Sequence, residues 1–158
     1  MNYYQKNLFV LSLTNFLASS SWNQVIPFMP QFLRELGVGA QVAAWSSFVF
    51  ALTYGAAIIM QPFWGKIGDS KGRKPMVVRA GFCLTAIYFA MSLCQAPWQV
   101  AVTRFLNGVL TGFVPGAIAL VATNTPPVLA GRFVSIVQTA NAAGTIAGPA
   151  MGGLLAAQ

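Results

Sequence analysis

The sequence predicts an all-α membrane protein built from five transmembrane helices, and three observations carry that expectation. Hydrophobic residues make up 56% of the chain and charged residues 7%, with a mean hydropathy of +0.66. A soluble domain carries roughly 25% charged residues, so this composition leaves no surface suited to water. A spanning helix needs about 20 mainly apolar residues, and five runs reach that length. The charges fall almost entirely in the short connections between those runs. That placement also disposes of a nucleic-acid partner, which the net charge of +7 would otherwise invite. Basic residues in short loops between apolar runs meet anionic lipid headgroups.

Within residues 1–158 the expected helices are 7–32, 42–64, 76–94, 98–123 and 133–156. Short connections make neighbours antiparallel. Placing the N-terminus in the cytoplasm puts Lys6, Lys66, Asp69, Lys71, Arg73, Lys74, Arg79 and Arg132 inside, and leaves Arg34 and Glu35 outside. Positive loops are retained on the cytoplasmic side, so this is the expected topology, in a plasma (inner) membrane. Trp45, Trp64 and Trp98 fall at expected helix ends, the headgroup level that amphipathic rings favour.

The first run begins like a secretory signal, with Lys6, the apolar stretch 8–17 and the small residues Ala18, Ser19 and Ser20. The apolar pattern continues beyond that point, so the helix is read as retained. Its middle is interrupted by Ser19, Ser20, Ser21, Trp22, Asn23 and Gln24. Asn15, Ser19 and Asn23 recur every fourth residue and share one polar stripe. In lipid such a stripe faces protein or water. It either lines a substrate cavity or hydrogen-bonds a neighbouring helix. Pro27 and Pro30 remove helical hydrogen bonds and are expected to kink the outer end.

Segment 65–75, Gly-Lys-Ile-Gly-Asp-Ser-Lys-Gly-Arg-Lys-Pro, is read as a polar loop. Gly65 and Gly72 stand where a helix is expected to stop, because glycine reaches the left-handed region without steric cost. Gly68 clears space beside Asp69, whose carboxylate suits a neighbouring helix N-terminus. The plainer reading is a basic loop that only fixes topology. In the third run, Cys83 and Cys94 read as soft packing residues. With no histidine in the chain, they support neither a metal site nor a disulfide framework.

The fourth run holds Arg104, the one charge well within an apolar stretch. An intramembrane charge is costly and points to function by default, unless it snorkels to the outer headgroups. Gly108, Gly112 and Gly116 follow at intervals of four, a ridge for close helix packing, with Asn107 and Thr111 beside the guanidinium. The fifth run carries Gly144, Gly148, Pro149, Gly152 and Gly153, read as a tightly packed hinge. Gln138, Asn141 and Thr145 form a second polar stripe, again cavity or interhelical contact.

Taken together, these pieces resemble one family. The segment with Gly65, Gly68, Asp69, Gly72, Arg73 and Lys74 resembles the loop motif between helices two and three of the major facilitator superfamily. Residues 104–112, Arg-Phe-Leu-Asn-Gly-Val-Leu-Thr-Gly, are similar to its helix-four motif, whose arginine is associated with proton coupling. Residues 144–153 look like the Gly-Pro motif of helix five that marks the drug:proton antiporter, or multidrug efflux, branch. Pro27 and Pro30 resemble that branch's helix-one ending.

The resemblance implies an incomplete N-terminal half, an N-terminal fragment lacking a sixth helix and the C-terminal half. Transporters of this kind place substrate between two six-helix halves that rock against each other. It further implies export of amphipathic small molecules in exchange for protons. Arg104 would serve coupling, and Gly65, Gly68, Asp69, Gly72, Arg73 and Lys74 a conformational latch. Asn15, Ser19, Asn23, Asn107, Gln138 and Asn141 would line the cavity. No cofactor is expected. Two alternatives stay open: a sugar or metabolite symporter, which the helix-five motif disfavours, and a non-transporting membrane subunit that packs through its glycine ridges. An enzyme is not expected, since the chain has no histidine, no acid pair within reach and no cysteine beside a base.

Overall fold

The computed structural model describes residues 3–110 and 112–156. The described residues form helices α1 (Tyr3–Glu35), α2 (Val42–Lys71), α3 (Arg73–Ser92), α4 (Pro97–Leu110), α5 (Phe113–Asn124) and α6 (Pro127–Ala156). A single 3-10 turn, Gly39–Gln41, precedes α2. Three helical stretches, Gly39–Lys71, Arg73–Ser92 and Pro97–Asn124, are long and apolar enough to cross a membrane.

Each connection is set by local chemistry. The end of α1 closes with the Val38 N–H on the Leu33 carbonyl and the Gly37 N–H on that of Arg34, with Gly37 at φ 86°. That pairing is the two-bond glycine cap of a helix C-terminus. At the start of α4, Pro97 occupies the first helical position, where its missing N–H costs nothing. The Gln99 side chain accepts from the backbone N–H groups of Gln95 and Ala96 at 2.7 and 3.1 Å. The Pro126 carbonyl accepts from Leu129 and Ala130 to open α6.

The structure differs from the expected boundaries in three places. Segment 65–75 is mostly helix rather than loop: α2 continues to Lys71, and only Gly72 stands between it and α3. Gly65 therefore ends nothing, while Gly72, at φ 93° and ψ 143°, makes the whole turn. The run 98–123 is two helices, with Gly112 at φ 118° in the gap. The fifth expected helix starts six residues early, because Pro127 initiates it. The polar middle of α1 does not break it, nor do Pro27 and Pro30.

The chain divides into two compact units, one of residues 1–27 with 113–158 and the other of 28–112. In the first, Val121, Phe133 and Val137 form a core against Leu8, Leu11, Ile118 and Val134. The second is centred on α4, which packs on α2 and α3. Buried residues of α3, namely Val77, Ala80, Leu84, Ile87 and Met91, recur at alternating steps of three and four, which keeps one stripe inward. Ser46 and Thr53 sit on the buried stripe of α2 with their hydroxyls bonded to the Val42 and Val49 carbonyls. These polar groups are satisfied within their own helix, as an apolar surrounding requires. The opposite faces expose Ile58, Ile59, Phe82 and Phe89, an outer surface suited to lipid.

Candidate functional site

In the unit of residues 28–112, the closest approach is between α4 and α2. A Cβ at Gly108 would overlap the Thr53 carbonyl oxygen and lie 2.9 Å from the Ala56 Cβ. The glycine lets the two backbones meet, and one turn earlier Arg104 is carried into the same packed region. Arg104 is 1% exposed and Asn107 fully buried, so the guanidinium does not snorkel to the protein surface. Its electrostatic neighbours are the phenols of Tyr88, from α3, and Tyr54, from α2. Tyr88 also faces Asn107. The Nε and Nη2 atoms of Arg104 have no hydrogen-bond partner among the described residues. A buried cation with spare donors can take a carboxylate, a carbonyl or water. Thr111, expected beside it, lies outside the described residues.

At the α2–α3 turn, Arg73 donates to Asp69 at 2.6 Å across four residues. Asp69 lies in the last turn of α2, and α3 opens after Gly72 with no side-chain cap hydrogen bond, so the contact of this carboxylate is the Arg73 guanidinium rather than a neighbouring helix N-terminus. Gly68 is buried beneath it, with its Cβ position 3.6 Å from the Met76 Cγ, an ordinary contact. Lys74 is exposed. Gly65 has open space around it, so the motif's first glycine is not required by packing in this conformation.

In the unit of residues 1–27 and 113–158, the polar stripe of α1 faces α6. Asn15, fully buried, donates through Nδ2 to the Val137 carbonyl at 3.4 Å. Ser19 donates through Oγ to the Asn141 side-chain oxygen, and Asn23 turns back to the Ser19 carbonyl at 2.8 Å. A Cβ at Gly144 would stand 2.5 Å from the Phe16 carbonyl oxygen and 2.8 Å from the Ser19 Cβ. One turn on, a Cβ at Gly148 would overlap the Ser20 carbonyl oxygen and lie 3.0 Å from the Gln24 nitrogen. These contacts make Asn15, Ser19 and Asn141 interhelical hydrogen-bonding groups. Gln138 and Thr145 are exposed. Of the other small residues, Pro149 lies inside a continuous α6, Gly152 is buried and Gly153 borders open space. The candidate cavity residues thus fall in both units, Asn107 in one and the rest in the other.

Two residues that sequence reasoning assigned to the membrane surface are structural. Trp64 lies seven residues before the end of α2, and its indole Nε1 donates to the Val109 carbonyl at 2.6 Å. Arg79, counted among the loop charges, lies within α3. Its Nη2 donates to the Leu110 carbonyl at 3.2 Å, and its guanidinium carbon stands 3.5 Å from the Trp64 ring centroid. Tyr54 and Tyr88 were also passed over. An available signal was its place in the sequence: Arg79 falls inside the expected helical run 76–94 rather than in the polar segment 65–75.

The helical architecture, the buried arginine of α4 and the glycine turn after Asp69 all point one way, and a family comparison decides it. The family model described as Major Facilitator Superfamily matches residues 11–158. The chain belongs to the Major Facilitator Superfamily. Membership in this transporter family and the apolar helices make it an integral membrane protein. It is 37% identical over 155 residues to the Multidrug resistance protein MdtG of Yersinia enterocolitica. It is 39% identical over 155 residues to that of Escherichia fergusonii, and 39% over 157 residues to that of Citrobacter koseri. The alignments cover 97%, 97% and 98% of this chain. They cover 37%, 38% and 39% of those relatives, so the chain spans under two fifths of their length. As a facilitator-superfamily segment it is a partial, all-helical fold.

Proposed function

We propose that this chain is the N-terminal part of a secondary transporter that exports drugs or other amphipathic small molecules by proton antiport. The observation that carries this reading is the likeness to multidrug resistance proteins over 97% of the chain. The charge pattern supports a cytoplasmic N-terminus in the inner membrane, with the basic α2–α3 turn inside. The chain is not an enzyme; its work is movement of a solute, and its partners are lipid, substrate, protons and a C-terminal half.

In alternating access the substrate lies between two halves that rock about it. Arg104 is the group for coupling: its buried charge would favour the deprotonated form of a carboxylate brought to it by the C-terminal half, the proton carrier of this reading, since Glu35 and Asp69, the two acids here, are not among its neighbours. Asp69 and Arg73, with Gly65, Gly68, Gly72 and Lys74 around them, form the latch. Asn23, Gln138 and Asn107 remain the cavity candidates, joined by Asn15, Ser19 and Asn141 where the α1–α6 contact opens. Gly144, Gly148, Pro149, Gly152 and Gly153 form the hinge.

The test is ethidium uptake by everted vesicles containing the full-length protein, with the lumen made acidic. Wild type accumulates dye and collapses the gradient faster when dye is added, whereas Arg104→Ala does neither while remaining in the membrane. Proton-coupled uptake unchanged in Arg104→Ala sinks the coupling role. Absence of dye transport in wild type together with transport of a sugar or metabolite overturns the drug-export reading.

A further inference from the structure

We propose that Arg79, stacked on Trp64, is a positioning residue that holds the end of α4 at its break and thereby keeps Arg104 in register between α2 and α3. The argument starts from the backbone. A helix leaves its last carbonyls without intrahelical donors, and within a membrane no bulk water replaces them. Here the described part of α4 ends at Leu110, and Gly112, outside any helix, stands at φ 118°. A continuous helix is opposed by Pro115, which has no N–H for the carbonyl four residues earlier. The Gly112 Cβ position has nothing within 4 Å. Glycine is therefore used there for its backbone angle rather than for space.

The freed carbonyls are met from two different helices. Trp64 of α2 donates to Val109 and Arg79 of α3 to Leu110, at 2.6 and 3.2 Å. The guanidinium lies over the same indole at 3.5 Å. A cation on an aromatic face and a cation at a helix C-terminus are each favourable, and one side chain achieves both. The clamp fixes α4 axially and rotationally against both neighbours. Arg104 lies six residues before Leu110. A slip of α4 by one residue would turn Arg104 by about 100°, away from Tyr88 and Tyr54.

This inference concerns packing within residues 28–112 and does not depend on the drug-export reading. It is tested by hydrogen exchange on the full-length protein in lipid nanodiscs. Arg79→Gln is expected to speed exchange of the last-turn amides of α4 about tenfold, the loss of one charge-assisted hydrogen bond. Rates in the middle of α2 and α3 stay unchanged. Arg79→Lys keeps the cation over the ring and one donor, and restores at least half of the logarithmic change. Trp64→Phe keeps the ring face and removes one donor, and accelerates the same amides by a smaller factor. Unchanged exchange at the end of α4 in these variants overturns the clamp. So does an equal acceleration of all three helices, or Arg79→Lys behaving like Arg79→Gln.

Discussion

Gly108 meets the backbone of Thr53 so closely that its missing side chain is what allows α4 to cross α2. Adding a methyl group there must push apart two backbones, because the obstacle is a carbonyl and not a flexible side-chain end. Overpacking of this kind costs about 1–3 kcal/mol. Gly108→Ala is accordingly expected to lower the melting temperature of the full-length protein in detergent. Gly65→Ala, in open helix, is the control and should be neutral or slightly stabilising, by up to about 1 kcal/mol. Equal melting temperatures for Gly108→Ala and wild type would show that the two helices do not approach as described.

Across α1 and α6, the Ser19–Asn141 bond predicts energetic coupling. Polar contacts between membrane helices are worth about 0.6 kcal/mol on average. A double-mutant cycle of Ser19→Ala and Asn141→Ala, read by equilibrium unfolding, should return a coupling of about that size. A coupling of zero would assign both residues to the cavity alone. Gly144→Val, by contrast, should prevent the helices from meeting and abolish accumulation of folded protein in the membrane.

The α2–α3 turn separates conformational from stability effects. Arg73 and Asp69 are 32% and 64% exposed, and surface ion pairs contribute about 0–1 kcal/mol. Asp69→Asn should therefore leave thermal stability nearly unchanged. If the pair is a latch, the same substitution alters labelling of a cytoplasmic-side cysteine by a membrane-impermeant maleimide. Unchanged labelling would remove the latch role.

Gly72 carries a different expectation. Its φ of 93° with ψ of 143° is a conformation that only glycine adopts without strain. Gly72→Ala should cost about 1–3 kcal/mol, measurable as reduced stability, although the residue is exposed and the nearest atom to its Cβ position is Pro75 Cδ at 3.7 Å.

Much of this fold was legible from the sequence because apolar length and loop charge are read directly. Gly72 was legible as a turn, since a lone glycine between Lys71 and Arg73 has few other uses. The helical extent of segment 65–71 was not, because polar residues that leave the membrane need not leave the helix. The division at Gly112 was missed for a related reason. The four-residue glycine ridge drew attention to packing, whereas Pro115 held the backbone information. Arg79 was misassigned because counting charges by loop cannot register a guanidinium whose partners, Trp64 and Leu110, lie 15 and 31 residues away in sequence. For Arg104, sequence supplied the charge and its unusual place; burial beside Tyr54 and Tyr88 came from tertiary packing. The α1 stripe was read as facing protein or water, and only the Val137 and Asn141 contacts chose protein for Asn15 and Ser19.

Proton release on substrate binding tests the central claim most directly. Tetraphenylphosphonium is added to the purified full-length protein in weakly buffered detergent solution containing a pH-sensitive dye. Exchange of a cationic drug for a proton predicts release of protons by wild type and none by Arg104→Ala. Binding of the cation by wild type without any proton release, or equal release by Arg104→Ala, would contradict the account.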